Sequence, residues 1–165
     1  MLPLSHLGIG STIAKPFSKK LPFFWLLLGT MLPDLINKPI YFIIGIWAYL
    51  DHGGWVPGKR GIAHTLLFLL LIVSLGWIKK SRILAALGVG ISTHLLLDIL
   101  SKSVGPAGDS IDKWTVLFWP FLGFEFPTLA YGLHGKPALT IEIIGGMLLM
   151  IQLALHYKIR KSRNT

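Results

Sequence analysis

The chain has 165 residues, 53% of them hydrophobic and only 14% charged, with a formal net charge of +9 and a mean hydropathy of +0.65. That balance lies outside the soluble globular range, and the length suits one compact unit without a second domain. Cysteine is absent, which excludes disulfides, thiolate metal sites and cysteine nucleophiles.

The N-terminal stretch MLPLSHLGIG has no basic residue before its apolar run and no clear cleavage site, so it does not read as a signal peptide. Residues 21–32 and 39–50 are strongly apolar but short for a bilayer, which predicts partial or re-entrant helices. A glycine-rich loop over 51–60 follows. Residues 62–78 and 83–100 are predicted helices, each about long enough to cross a membrane. After a loop over 102–113, residues 114–133 are apolar and aromatic but interrupted by Pro120, Gly123, Glu125 and Pro127. A broken interfacial or re-entrant segment is predicted there, with Trp114, Trp119 and Tyr131 at headgroup level. Residues 138–157 form a last membrane-length helix. The expected fold is all-α, a single multi-pass membrane helical bundle over residues 1–165 with short re-entrant or interfacial segments.

The positive charge does not point to nucleic acid, because no basic stripe is interleaved with stacking aromatics. Ten of the sixteen Lys/Arg fall in three acid-free blocks: Lys15, Lys19 and Lys20; Lys79, Lys80 and Arg82; Lys158, Arg160, Lys161 and Arg163. Each block ends an apolar segment, as cytoplasmic anchors do. The expected topology puts the C-terminus in the cytoplasm and all seven acids on the outer side.

His94-x-x-x-Asp98 lies inside the apolar run 83–100, and its spacing puts both side chains on one helical face. Such a placement is costly unless the groups are paired, metal-bound or facing a polar cavity. Gly90 and Ser101 extend the face with small groups that let another helix approach. Asp34, His64 and Glu142 sit as awkwardly, and His6 lies near the outer end of the first segment. The topology set by Lys and Arg alone brings these groups to one depth. His64 and Asp98 each fall about 6 Å below the outer loops, and Glu142 about 9 Å.

Each signal has a plainer reading on its own: His94/Asp98 as a structural hydrogen-bonded pair, Asp34 as a turn or cap, His64 as an interfacial helix residue, Glu142 as a group supporting the ligands. Their coincidence favours a site near the outer face. His52, His134 and His156 read as solvated, and Trp119-Pro120 as an anchor and kink. A mixed nitrogen/oxygen set of His6, Asp34, His64, His94, Asp98 and Glu142 suits Zn²⁺, with Mn²⁺ or Fe²⁺ also compatible. Three carboxylates together stay ionised only if cations neutralise them. Two divalent ions about 3.5–4 Å apart would do so, and would form a clamp for phosphoester hydrolysis without a Ser or Cys nucleophile.

The ordered pieces Ser5-His6, Gly29-Thr-Met-Leu-Pro-Asp34, Arg60-Gly-Ile-Ala-His64-Thr65, His94-Leu-Leu-Leu-Asp98 and Trp119-Pro120-Phe121 resemble the YdjM-like family of membrane-bound metal-dependent hydrolases. The likeness covers most of residues 5–121 and is carried by the order of the five pieces. The family's His, Asp, His, His-x-x-x-Asp set is also similar to part of the site in zinc-dependent phospholipases C and zinc single-strand nucleases. The resemblance implies that Asp34, His64, His94 and Asp98 hold one metal, with His6 and a bridging Asp98 serving a second. Lys59, Ala63 and Ile36 depart from the family pattern, and no His-x-x-x-Glu pair offers a third site. The function expected is hydrolysis of a phosphoester, with a lipid headgroup reaching the site laterally as candidate substrate. Asp34, His64 and Asp98 would act at the reacting centre, and Arg60 would steady the anion. The alternatives are a divalent cation-binding or transport protein, and a structural membrane protein locked by a polar cluster.

Overall fold

The computed structural model of the chain describes residues 3–52, 62–101, 117–121 and 136–163. Five long helices occur among them: α1 (Pro3–Ala14), α2 (Phe23–His52), α3 (Leu66–Ile78), α4 (Arg82–Ser101) and α5 (Lys136–Arg163). Short 3₁₀ turns cover Lys15–Lys19 and Ile62–His64, and no strand occurs among the described residues. The all-α expectation is met.

Three boundaries differ from the sequence reading: α5 runs on to Arg163, through the basic tail and past the apolar run read over 138–157, and two others differ for local reasons. The segments expected at 21–32 and 39–50 are one helix of 30 residues, with Pro33 and Pro39 inside it. A proline removes a single ladder donor and crowds one carbonyl, so a packed helix can run through it. The helix expected over 62–78 begins later. Thr65 has an extended backbone and its Oγ1 accepts from Phe68 N at 3.1 Å, capping α3 and leaving His64 in the preceding turn. At 13 residues, α3 spans only about 20 Å. Arg82–Leu100 and Leu139–Lys158 are long and apolar enough to cross a bilayer.

The helices meet through glycines. A Cβ on Gly29 would lie 2.5 Å from Leu87 O, and one on Gly90 would collide with Leu26 O, so α2 and α4 cross backbone to backbone. The crossing of α1 on α5 is closer still, with Gly8 against Gly145 O and Gly145 against Ser5 Cα. α4 packs on α1, α2 and α3, while α5 packs chiefly on α1. Half of the α4 span is buried, against 11% of the α5 span.

Polarity is inverted relative to a water-soluble core. Ser5, His6, Ser11, Thr30, Asn37, His64, Thr65, Thr93, His94, Asp98 and Gln152 are buried, whereas Leu70, Leu71, Trp77, Ile78, Met147 and Met150 are exposed. Apolar surface on that scale is costly in water and is what a bilayer solvates. The buried hydroxyls of Ser11, Thr30 and Thr93 donate to carbonyls one turn back, Gly8 O, Leu27 O and Gly90 O, which satisfies them without water.

Candidate metal centre

Four elements each bring ionisable groups to one point: His6 from α1, Asp34 from α2, His64 from the turn before α3, and His94 with Asp98 from α4. The close α2–α4 crossing makes the convergence possible, since it places Thr30 and His94 in contact. His94 Nδ1 lies 2.7 Å from Thr30 O. A carbonyl only accepts, so Nδ1–H donates and the neutral ring presents its Nε2 lone pair to the cluster.

That nitrogen is 3.2 Å from His64 Nε2 and 3.8 Å from Asp98 Oδ2. His64 Nε2 is also 3.4 Å from Asp34 Oδ1 and 3.7 Å from Asp98 Oδ2. His6 stacks on His94 with centroids 4.0 Å apart, and its Nε2 is 3.7 Å from Asp98 Oδ1. Two overlapping donor sets result, His6/His94/Asp98 and Asp34/His64/His94, with His94 common to both. All but Asp34 are buried; its side chain is 13% exposed, against 8% for Asp98 and 3% or less for the histidines, so the cluster opens past Asp34.

The donor set fits a divalent cation. His6 Nδ1 is buried with no hydrogen-bond partner among the described residues, and the Nε2–carboxylate separations around the cluster are mostly longer than a hydrogen bond. Imidazole nitrogens and carboxylate oxygens that converge within a few ångströms are the donor types that nitrogen/oxygen metal sites use.

Glu142 takes a different place from the one its depth implied. Its Oε1 accepts from Leu4 N at 2.8 Å and its Oε2 from Ser5 N at 2.9 Å. It therefore caps the first turn of α1, where unpaired N–H groups and the positive end of the helix dipole favour a carboxylate. Its connection to the cluster runs through α1, which carries His6. Arg60, Lys59 and Lys102 lie outside the described residues. His156 stacks on Phe23 at 4.8 Å, and the Trp119-Pro120 bond is cis within a turn.

The sequence reading passed over two buried amides, one beside the cluster and one tying α5 to α1. The Asn37 side-chain amide contacts His64 Nδ1 at 2.5 Å, and Gln152 on α5 reaches Thr12 Oγ1 on α1. Thr30, Asp34 and Asn37 stand four and three residues apart on one face of α2. That spacing was the available signal for Asn37.

Beyond the geometry, a family model described as YdjM inner membrane protein matches residues 1–163. No curated protein and no solved structure matches the chain.

Proposed function

The chain belongs to the YdjM inner membrane protein family, and from that premise we propose that it is a membrane-bound, metal-dependent hydrolase of phosphoesters, with a lipid headgroup as the substrate class. One observation carries the reading. His64 Nε2 and His94 Nε2, 3.2 Å apart, converge with the carboxylates of Asp34 and Asp98 in a largely buried cluster open at one side.

His6, Asp34, His64, His94 and Asp98 would hold one or two divalent cations. Zn²⁺ suits the donors best, and Mn²⁺ or Fe²⁺ are compatible. Such an ion supplies Lewis acidity, making water nucleophilic near neutral pH and offsetting phosphate charge. The protein's own groups do the rest. Thr30 O holds the proton on His94 Nδ1 and keeps that ring oriented. Asp34 is the most accessible carboxylate of the cluster and marks the side from which a substrate would enter. Arg60 is the residue proposed to steady the anion. The choice of reaction rests on the mixed nitrogen/oxygen donor set, which suits metal-activated water.

The test is a panel of phospholipids and generic phosphodiesters, assayed with Zn²⁺ or Mn²⁺ and again with chelator. Turnover should require metal and vanish in Asp98→Asn, because a neutral amide is a poor metal ligand of nearly the same shape. Metal-loaded, folded protein that cleaves none of them, combined with metal flux into vesicles that depends on Asp98, would replace this reading with cation transport.

A further inference from the structure

An open groove of ≈ 530 Å³ runs between α3 and α4, away from the metal cluster, with walls of Leu69, Val73, Gly76, Ala85, Gly88 and Val89. Its polar end is formed by Lys80, Ser81 and Arg82, and none of its lining residues is acidic. From that end to Leu69 on α3, and to Ser92 on α4, is roughly 15 Å by helical rise. This is half of the ~30 Å hydrocarbon core, the depth of a single leaflet.

The polar end carries a second oddity. α3 terminates with Lys80 N donating to Trp77 O and Ser81 N to Gly76 O, the two bonds of a Schellman motif, and Lys80 occupies its left-handed position at φ 48°. Glycine adopts that conformation freely, and lysine does so at a backbone cost. Lys80 and Arg82 are both exposed at the mouth. Backbone positions of this kind cluster at functional sites.

We infer that the groove holds one acyl chain of a single anionic glycerophospholipid, whose phosphate sits on Lys80 and Arg82. Apolar walls one leaflet deep match the chain, and a cationic mouth at the depth of the headgroup matches the phosphate. His94 lies about 18 Å along α4 from Arg82, so this lipid is a bound structural partner and the inference does not rest on the hydrolase reading.

The experiment is native mass spectrometry of the full chain in detergent, titrated with phosphatidylglycerol or phosphatidylcholine. One phosphatidylglycerol per chain should be retained in preference to phosphatidylcholine. Lys80→Gly and Arg82→Gln should each weaken it by about fivefold, the effect of one interfacial charge. Ser92→Phe, at an exposed position at the deep end, should weaken long-chain phosphatidylglycerol and spare a short-chain form. Lys158→Gln, in a different basic block, should change little. Lys80→Gly should keep or raise thermal stability, which separates lost binding from lost folding. Equal retention of the two lipids, an equal effect of Lys158→Gln, or full binding by Lys80→Gly would overturn the inference.

Discussion

His94 Nδ1 donates to Thr30 O across the α2–α4 crossing at 2.7 Å, and this one bond decides which nitrogen of His94 faces the cluster. The acceptor is a backbone atom, so its position depends on how closely the two helices approach. Gly29 and Gly90 set that approach. Helix packing and donor orientation are therefore the same structural fact at this point of the protein.

Purified protein should carry one or two tightly bound divalent transition metals, measured by elemental analysis. His94 presents a single Nε2 lone pair to two overlapping donor sets, so it holds one ion at a time and His94→Ala should remove that ion. His6→Ala should remove only the share held with Asp98, and the exposed His156→Ala should leave the content unchanged. Less than about half an equivalent in the native protein would count heavily against a metal centre.

Asn37 should matter to metal affinity without being a ligand. Its amide meets the far side of the His64 ring, and rotating that amide by 180° would let its oxygen accept from Nδ1–H and leave Nε2 free to bind a cation. Asn37→Leu should weaken metal by about 10–100-fold in chelator competition, the usual effect of losing such a support. Unchanged affinity would remove Asn37 from the site.

What was legible in the sequence follows from physics that acts within a helix. His94 and Asp98 share a face because of their spacing, and cost in an apolar setting marked them as a site. The extent of α4 came from an unbroken apolar run, as did the membrane-length part of α5, whose continuation to Arg163 did not. Less legible was whatever depends on a partner. Residues 21–32 and 39–50 read as two short helices, because the tertiary packing that carries α2 across Pro33 and Pro39 leaves no local trace. Glu142 was expected to join the ligands or support them, and depth does not distinguish either role from a cap on α1. The lysine at the left-handed position of the α3–α4 turn has no sequence signature, since glycine is the residue that normally announces it.

Gly90→Val should be among the most damaging single changes. Its Cβ would meet Leu26 O and the Gly29 backbone, neither of which can yield as a side chain would. Overpacking costs about 1–3 kcal/mol where neighbours can adjust, so a loss at or above that range is expected, with metal lost in parallel as Thr30 and His94 separate. Gly146→Val should be mild, because there a Cβ meets only Leu4 Cδ1 at 3.6 Å. Thermal unfolding in detergent compares the two.

The basic blocks predict that the α3–α4 turn and the tail after Lys158 face the cytoplasm while Asp109 faces outward. Absence of cysteine makes single-cysteine labelling clean. Asp109→Cys should react with an impermeant reagent in intact cells, and Asn164→Cys should be protected. The reverse pattern would invert the topology and put the His/Asp cluster on the cytoplasmic side.

Glu142→Gln separates two roles for the same residue. Both carboxylate oxygens accept N–H groups at the start of α1, and an amide can offer only one acceptor there, with its NH₂ facing a donor. One of these partly or wholly exposed donors loses its acceptor, and the favourable charge at the helix end is lost as well. Hydrogen exchange should therefore rise across residues 3–14, and metal content should fall only by the share that depends on His6. Gln152→Leu, which breaks the second α1–α5 tie at Thr12, should reproduce that pattern in weaker form. Should Glu142→Gln strip metal while exchange in α1 stays unchanged, Glu142 would be acting as a ligand and the capping role would be wrong.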